Sequence, residues 1–152
     1  HAMWKVAYAP GRLEARGFRD GRPVMTQTVE TTGPVVRILL TADRARIAAD
    51  GEDVAVITAA VVDANGRVVP VANDEITFEI SGAGRLLGVG NGDPSSHESD
   101  RGPRRRAFNG LCAAIVQSAR EAGTLRVRAP AGPLGTGTLE ITCESATPRP
   151  SA

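Results

Sequence analysis

In three runs beyond residue 75, apolar side chains fall on every second position. Ile76, Phe78 and Ile80 alternate with Thr77, Glu79 and Ser81. Leu125, Val127 and Ala129 alternate with Thr124, Arg126 and Arg128, and Leu139, Ile141 and Cys143 with Thr138, Glu140 and Thr142. A period of two buries one face of a strand and wets the other, which a helix cannot do. No segment sustains the 3.6 period of an amphipathic helix. Turn signals separate the runs: Asp20-Gly21, Ala49-Asp50-Gly51-Glu52, Asp63-Ala64-Asn65-Gly66, Gly82-Ala83-Gly84 and Glu121-Ala122-Gly123. Asn-Gly and Asp-Gly tolerate the positive φ of a tight reversal. The chain is therefore all-β.

The N-terminal part is sparse. His1-Ala2-Met3 reads as a tag-cleavage scar rather than a signal peptide. Trp4, Val6 and Tyr8 alternate with Lys5 and Ala7, Leu13–Arg16 alternates again, and Val24–Thr31 follows the Asp20-Gly21 hairpin. These three short strands carry too few apolar side chains for a core, so residues 1–33 read as the end of a preceding domain. Thr32-Gly33-Pro34 marks the boundary.

Beyond it the pattern is denser. Strands are expected over Val36–Thr41, Asp53–Val62, Val68–Val71, Ile76–Ser81, Leu86–Val89, Gly110–Ser118, Thr124–Ala129 and Thr138–Cys143. Pro70 confines its run to an edge or bulge. Asp53–Val62 is apolar on both faces, so periodicity cannot say which is inward. About seven strands with frequent turns predict an immunoglobulin-like sandwich over residues 34–144. Aromatics are 3% of the chain, so the core must be aliphatic, with Phe78 its largest member. Residues 145–152 are polar and proline-bearing and read as a disordered tail.

The longest interruption follows Val89. A polar stretch runs to Phe108, longer than the roughly 12–15 residues beyond which loops are usually functional or disordered. It holds several residues that invite a chemical reading. Ser95, Ser96, His97 and Asp100 contain the residue types of a hydrolase triad, but such a triad is assembled from separate parts of a fold, and near-neighbours on one loop do not supply its geometry. Asn91, Asp93, Glu98 and Asp100 offer oxygens to calcium, without the spacing of a known loop; capping of the turn by Asn91 and Asp93 is the plainer reading. Gly88-Val89-Gly90-Asn91-Gly92 has no helix after it to complete a phosphate site, and is read as a turn with positive φ. Arg101, Arg104, Arg105 and Arg106 lie beside acids and lack interleaved aromatics, which argues for a solvated loop or an ion-pair surface against a neighbouring domain over nucleic acid. Trp4 and Tyr8 have the chemistry to stack on a sugar ring, but alternate as packing residues do.

The totals exclude more than they assign. The net charge of +1, from 18 basic and 17 acidic residues, provides no field to steer the chain to nucleic acid or an anionic membrane. No run of about 18 apolar residues exists, so no transmembrane helix is expected. Cys112 and Cys143 can form one disulfide, but each lies in an apolar strand pattern where a free thiol acts as a small hydrophobe; unpaired, buried thiols are expected. No Cys/His spacing suggests a metal, and no cofactor is expected.

Two resemblances enter here. Leu40-Thr41-Ala42-Asp43-Arg44, Val61–Gly66 and Val69-Pro70 resemble the bacterial Ig-like repeats of invasin and intimin. Nearly the whole chain resembles the C-terminal region of bacterial glycoside hydrolase family 2 β-galactosidases. The motif that carries this is Gly90-Asn91-Gly92-Asp93-Pro94 with Ser96-His97-Glu98, then Ala107-Phe108-Asn109-Gly110-Leu111-Cys112.

The second resemblance implies that residues 1–33 end one Ig-like domain and that 34–144 form the terminal one. It implies that Ala55, Ile57, Ala59 and Val61 face inward. It places the catalytic glutamates in an upstream barrel, so that Glu98 and Glu121 are not catalytic and this stretch holds no catalytic residue. The implied role is a structural module packing on the catalytic and adjacent domains, with Asn91, Asp93, His97, Glu98, Arg104, Arg105, Arg106 and Asn109 as contact candidates. A periplasmic or secreted location comes with the family. A carbohydrate-binding module and an adhesin-type spacer remain the alternatives. Open strand edges in residues 1–33 also predict a strand-mediated homodimer.

Overall fold

The computed structural model describes residues 3–146. They fall into two units that divide between Thr32 and Gly33. The expected scar residues His1 and Ala2 and most of the expected tail, residues 147–152, lie outside the described residues.

The first unit is a hairpin. Strand β1 (Arg12–Arg19) runs antiparallel to β2 (Arg22–Glu30). Asp20 and Gly21 join them with φ of 51° and 75°, the two positive values that a type I′ turn requires. At the open end, Thr31 N–H donates to Gly11 O at 2.8 Å and Gly11 N–H to Thr31 Oγ1 at 3.0 Å. The strand expected over Trp4–Tyr8 is absent: residues 3–9 are irregular. Alternation makes a strand only where a neighbour accepts its hydrogen bonds, and β1 pairs with β2 alone.

The second unit is a two-sheet sandwich. One sheet has the order β3 (Arg37–Ala42), β5 (Val54–Val62), β10 (Leu111–Ser118), β8 (Gly84–Gly90), all antiparallel. The other has the order β4 (Arg46–Ala49), β12 (Thr136–Ser145), β11 (Gly123–Pro130), β7 (Glu79–Gly82), with β4 parallel to β12. A two-strand ladder joins β6 (Glu75–Thr77) to β9 (Arg104–Arg106). One 3-10 turn covers Gly132–Leu134. The expected all-β sandwich is thus the observed architecture. No helix among the described residues is long and apolar enough to cross a membrane.

The core lies between the sheets and is aliphatic. Ile38, Leu40, Ala55, Ile57, Ala59, Val61, Ala114 and Val116 come from one side; Ile47, Leu125, Val127, Ala129, Ile141 and Cys143 come from the other. Burial of Ala55, Ile57, Ala59 and Val61 settles the inward face of β5, which periodicity left open. Phe78 is the largest fully buried side chain. Cys112 and Cys143 are buried free thiols.

In the sandwich, outside the polar stretch after Val89, three elements differ from their sequence patterns. The run Ile76–Ser81 is divided at Phe78, whose N–H donates to Pro103 O at 2.7 Å instead of to either sheet. Its first half pairs with β9 and its second with β11. Alternation reports which side chains face inward, and that survives; it does not report the partner. Val68–Val71 makes a single bridge, Val62 to Val68, and not a strand, as Pro70 lacks the N–H a ladder needs. Strand β4 had no visible signal, since Ile47-Ala48-Ala49 is too short and too weakly apolar to stand out.

Candidate functional site

The polar stretch between β8 and β10 is folded around one side chain. Arg105 is only 5% exposed although it sits among exposed arginines. Its Nη1 donates to Glu98 O at 3.1 Å and to Asp100 Oδ1 at 2.9 Å, and its Nη2 to Asn91 Oδ1 at 3.0 Å. Its Nε is buried without a hydrogen-bond acceptor, with Glu98 Oε2 at 3.7 Å completing an ion pair. The rigid guanidinium fork therefore ties together three points of one loop, which a lysine could not do.

The surrounding groups reinforce this frame. Asn91 Nδ2 donates to Arg106 O at 2.8 Å, and Arg106 N–H donates to Glu98 Oε2 at 3.1 Å. Asp93 N–H donates to Asn91 Oδ1, and Asp93 Oδ1 accepts from both N–H and Oγ of Ser95. Those bonds from Ser95 hold the Asp93 carboxyl below its ordinary pKa. Val89 N–H donates to Asp100 O at 3.0 Å, bringing the loop backbone down onto β8. Gly88 permits that approach, because a Cβ there would stand 2.9 Å from the same oxygen. None of Gly88, Gly90 and Gly92 has a positive φ, so the expected glycine turn is instead the end of strand β8.

Strand β9 lies inside the stretch that reads as irregular. Its signal was the pair Arg105 and Ala107, both buried at a spacing of two, with Arg104 and Arg106 exposed between and beside them. Hydrophobicity alone hides such a strand, because its inward residue is an arginine.

The structure separates the candidate residues into two groups. Asn91, Asp93, Glu98, Arg105 and Arg106 are engaged in bracing the loop. His97, Arg104 and Asn109 are exposed, with no side-chain bond to other described residues. Asn109 and Gly110, with φ of 52° and 78°, form the two-residue turn that leads into β10. Phe108 and Leu111 close it with reciprocal backbone bonds of 2.8 and 3.1 Å.

The chemical alternatives find no geometry here. Ser95 is bonded to Asp93, and Ser96 Oγ accepts from Glu98 N–H; neither hydroxyl meets His97. Among the described residues, no group of three or more His, Cys, Asp or Glu is placed to hold a metal. Trp4 and Tyr8 are 72% and 81% exposed on irregular backbone, so they do not form the expected strand face. Burial pushes the Cys112 thiol up to about 12, far from the range of a nucleophile.

The fold and loop together describe a β-sandwich module with a braced surface loop. Comparison with known proteins places it. The model for "Glycoside hydrolase family 2 C-terminal domain 5" matches residues 38–140, and the chain belongs to that family. A second model, a domain of unknown function (DUF4982), matches residues 1–25. The chain is 32% identical over 144 residues to the β-galactosidase BoGH2A of Bacteroides ovatus, covering 95% of this chain and 17% of that protein. It is 37% identical over 127 residues to a β-glucuronidase of Formosa agariphila, covering 82% of this chain and 13% of that one. A solved family 2 glycosyl hydrolase from Bacteroides cellulosilyticus superposes with a TM-score of 0.89 at 36% identity, over 93% of this chain and 18% of that one. The chain thus spans less than a fifth of the length of these relatives.

Proposed function

We propose that this chain is a non-catalytic structural module of a multidomain family 2 glycosidase, packed on its catalytic and adjacent domains. The observation that carries this is the family match over residues 38–140, within relatives of which the chain covers under a fifth. The whole enzyme hydrolyses terminal β-galactosides, as the name of the Bacteroides ovatus relative suggests. Because the same module also occurs in a protein named as a β-glucuronidase, the choice of sugar belongs to other parts of the enzyme. The hairpin before Gly33 belongs to the preceding domain, and residues 34–144 form an Ig-like domain. A periplasmic or secreted location accompanies this reading. Of the contact candidates, His97, Arg104 and Asn109 are the ones left to meet a neighbour.

The test is the full-length enzyme with and without residues 34–144, assayed on a chromogenic galactoside and melted in parallel. Lower activity or a lower Tm on truncation is expected. Unchanged kinetics and melting would sink the proposal. Full activity with lost binding to a polymeric galactoside would make the module a carbohydrate binder instead.

A further inference from the structure

The two outer faces of the sandwich differ in kind. On the β4-β12-β11-β7 sheet, the outward arginines are each matched by a glutamate: Arg46 with Glu144, Arg126 with Glu140 at 2.9 Å, and Arg128 with Glu79 at 3.3 Å. That face is neutralised by its own residues and suits water. The β3-β5-β10-β8 sheet is the reverse. The inward set of β5 and its register with β10 and β3 fix the outward rows: Val56 opposite Ile115, Thr58 between Thr41 and Ala113, Ala60 between Leu39 and Leu111. Leu87 stands at the register shift in β8. Val56, Leu87, Leu111 and Ile115 are about two-fifths exposed, and Phe108 stands at the rim. A hollow of about 340 Å³ opens beside them, lined by Thr58, Leu111, Cys112 and Ala113 and, at the edge of the loop, Gly90, Asn91 and Gly92. No outward position of these four strands is acidic. Their two arginines, Arg37 and Arg85, have no carboxylate partner among the described residues; Arg85 donates only to Gln117 Oε1.

We infer that this apolar face, and not the polar 91–106 loop, is the main docking surface of the module. Its occupant is another folded domain of the same glycosidase, presenting an apolar patch with carboxylates set toward Arg37 and Arg85. This inference rests on the structural-module reading above and names the surface that reading requires. Contiguous apolar patches on a sheet's outer face mark interaction sites. More than four-fifths of each relative's chain lies outside the matched region and is available to cover it. A second copy fits poorly, since apposing the face with itself supplies arginines and no carboxylate. A sugar polymer fits poorly as well, since none of the outward strand positions is aromatic and Phe108 at the rim has no second ring beside it on these strands.

Thiol labelling tests this, read at the introduced cysteine by peptide mapping; the two cysteines of this chain are at most 3% exposed and give little background of their own. Ile115→Cys and, on the opposite face, Thr138→Cys are made in the full-length enzyme and in the 152-residue chain. Val56→Cys, opposite Ile115, guards against a local effect of one substitution. A covered thiol reacts only on opening, so Ile115→Cys and Val56→Cys should react with a maleimide at least about tenfold more slowly in the full-length enzyme. Thr138→Cys should react alike in both. Equal rates for Ile115→Cys in the two proteins overturn the inference. If Thr138→Cys is then the protected one, packing survives and only the face is wrong; if neither is protected, packing itself loses its support. Protection already present in the 152-residue chain and relieved by dilution makes the occupant a second copy and overturns the inference. Protection that appears only with added polymeric galactoside also overturns it, in favour of a sugar.

Discussion

Arg105 shows how one side chain can shape a loop. Its partners are unequal: Asp100 and Glu98 are partly or largely solvated, so they regain water if the arginine is lost. The Glu98 carbonyl loses the side-chain donor that held it, and Asn91 Oδ1 keeps only Asp93 N–H. The cost of Arg105→Ala is therefore set by a few unmade hydrogen bonds, about 1–3 kcal/mol, and not by a broken buried ion pair. Arg105→Lys should cost nearly as much, because a point charge cannot reach Asn91, Glu98 and Asp100 at once. Urea denaturation gives the magnitude, and limited proteolysis within residues 92–103 reports the loosened loop. A lysine variant with the stability and protease resistance of the parent would show that charge alone suffices. The sequence displayed a cluster of arginines but not which one was internal, because three like residues in a row, Arg104–Arg106, carry no hydrophobic contrast.

At the scale of the element, the Asn109-Gly110 turn fixes where β10 begins. Gly110 has a φ of 78°, and a Cβ there would lie 2.5 Å from Val69 O. Its N–H donates to Ala72 O and its O accepts from Val61 N–H, so neither side can move away freely. Gly110→Ala should cost about 1–2 kcal/mol from the backbone alone, and more from the contact with Val69. Gly90→Ala, in a strand with open space at its Cβ, should be close to neutral in the same melt. Equal effects of the two would remove the geometric explanation. Turns and inward faces were the legible part of this fold, because glycine after Asn or Asp and a period of two are local signals. Partner choice was not legible. Ile76, Phe78 and Ile80 kept their facing while Phe78 divided the strand between two ladders, and Trp4–Tyr8 kept its alternation with no ladder to join.

At the scale of the whole sandwich, two aspartates stitch elements together through backbone donors. Asp53 accepts from Ala48 N–H at 2.8 Å, linking β4 to the start of β5, and from Arg44. Asp63, fully buried at the other end of β5, accepts from the N–H groups of Gly33, Asn65 and Arg67 at 2.9 Å each. Those bonds, from Ala48 first in one case and Gly33 first in the other, hold both carboxyls below the ordinary aspartate value of 3.8. A carboxyl with a lowered folded pKa binds fewer protons folded than unfolded, so its stabilisation is complete above 3.8 and drains away as pH falls below it. The urea midpoint should hold level from neutrality to about pH 5 and then decline with acid. Asp63→Asn and Asp53→Asn should start lower at pH 7 and decline less steeply, so their gap from the parent narrows with acid. A gap that stays constant from pH 7 to below 3.8 would mean that packing around these residues, and not the carboxylate charge, holds the two ends of the sandwich.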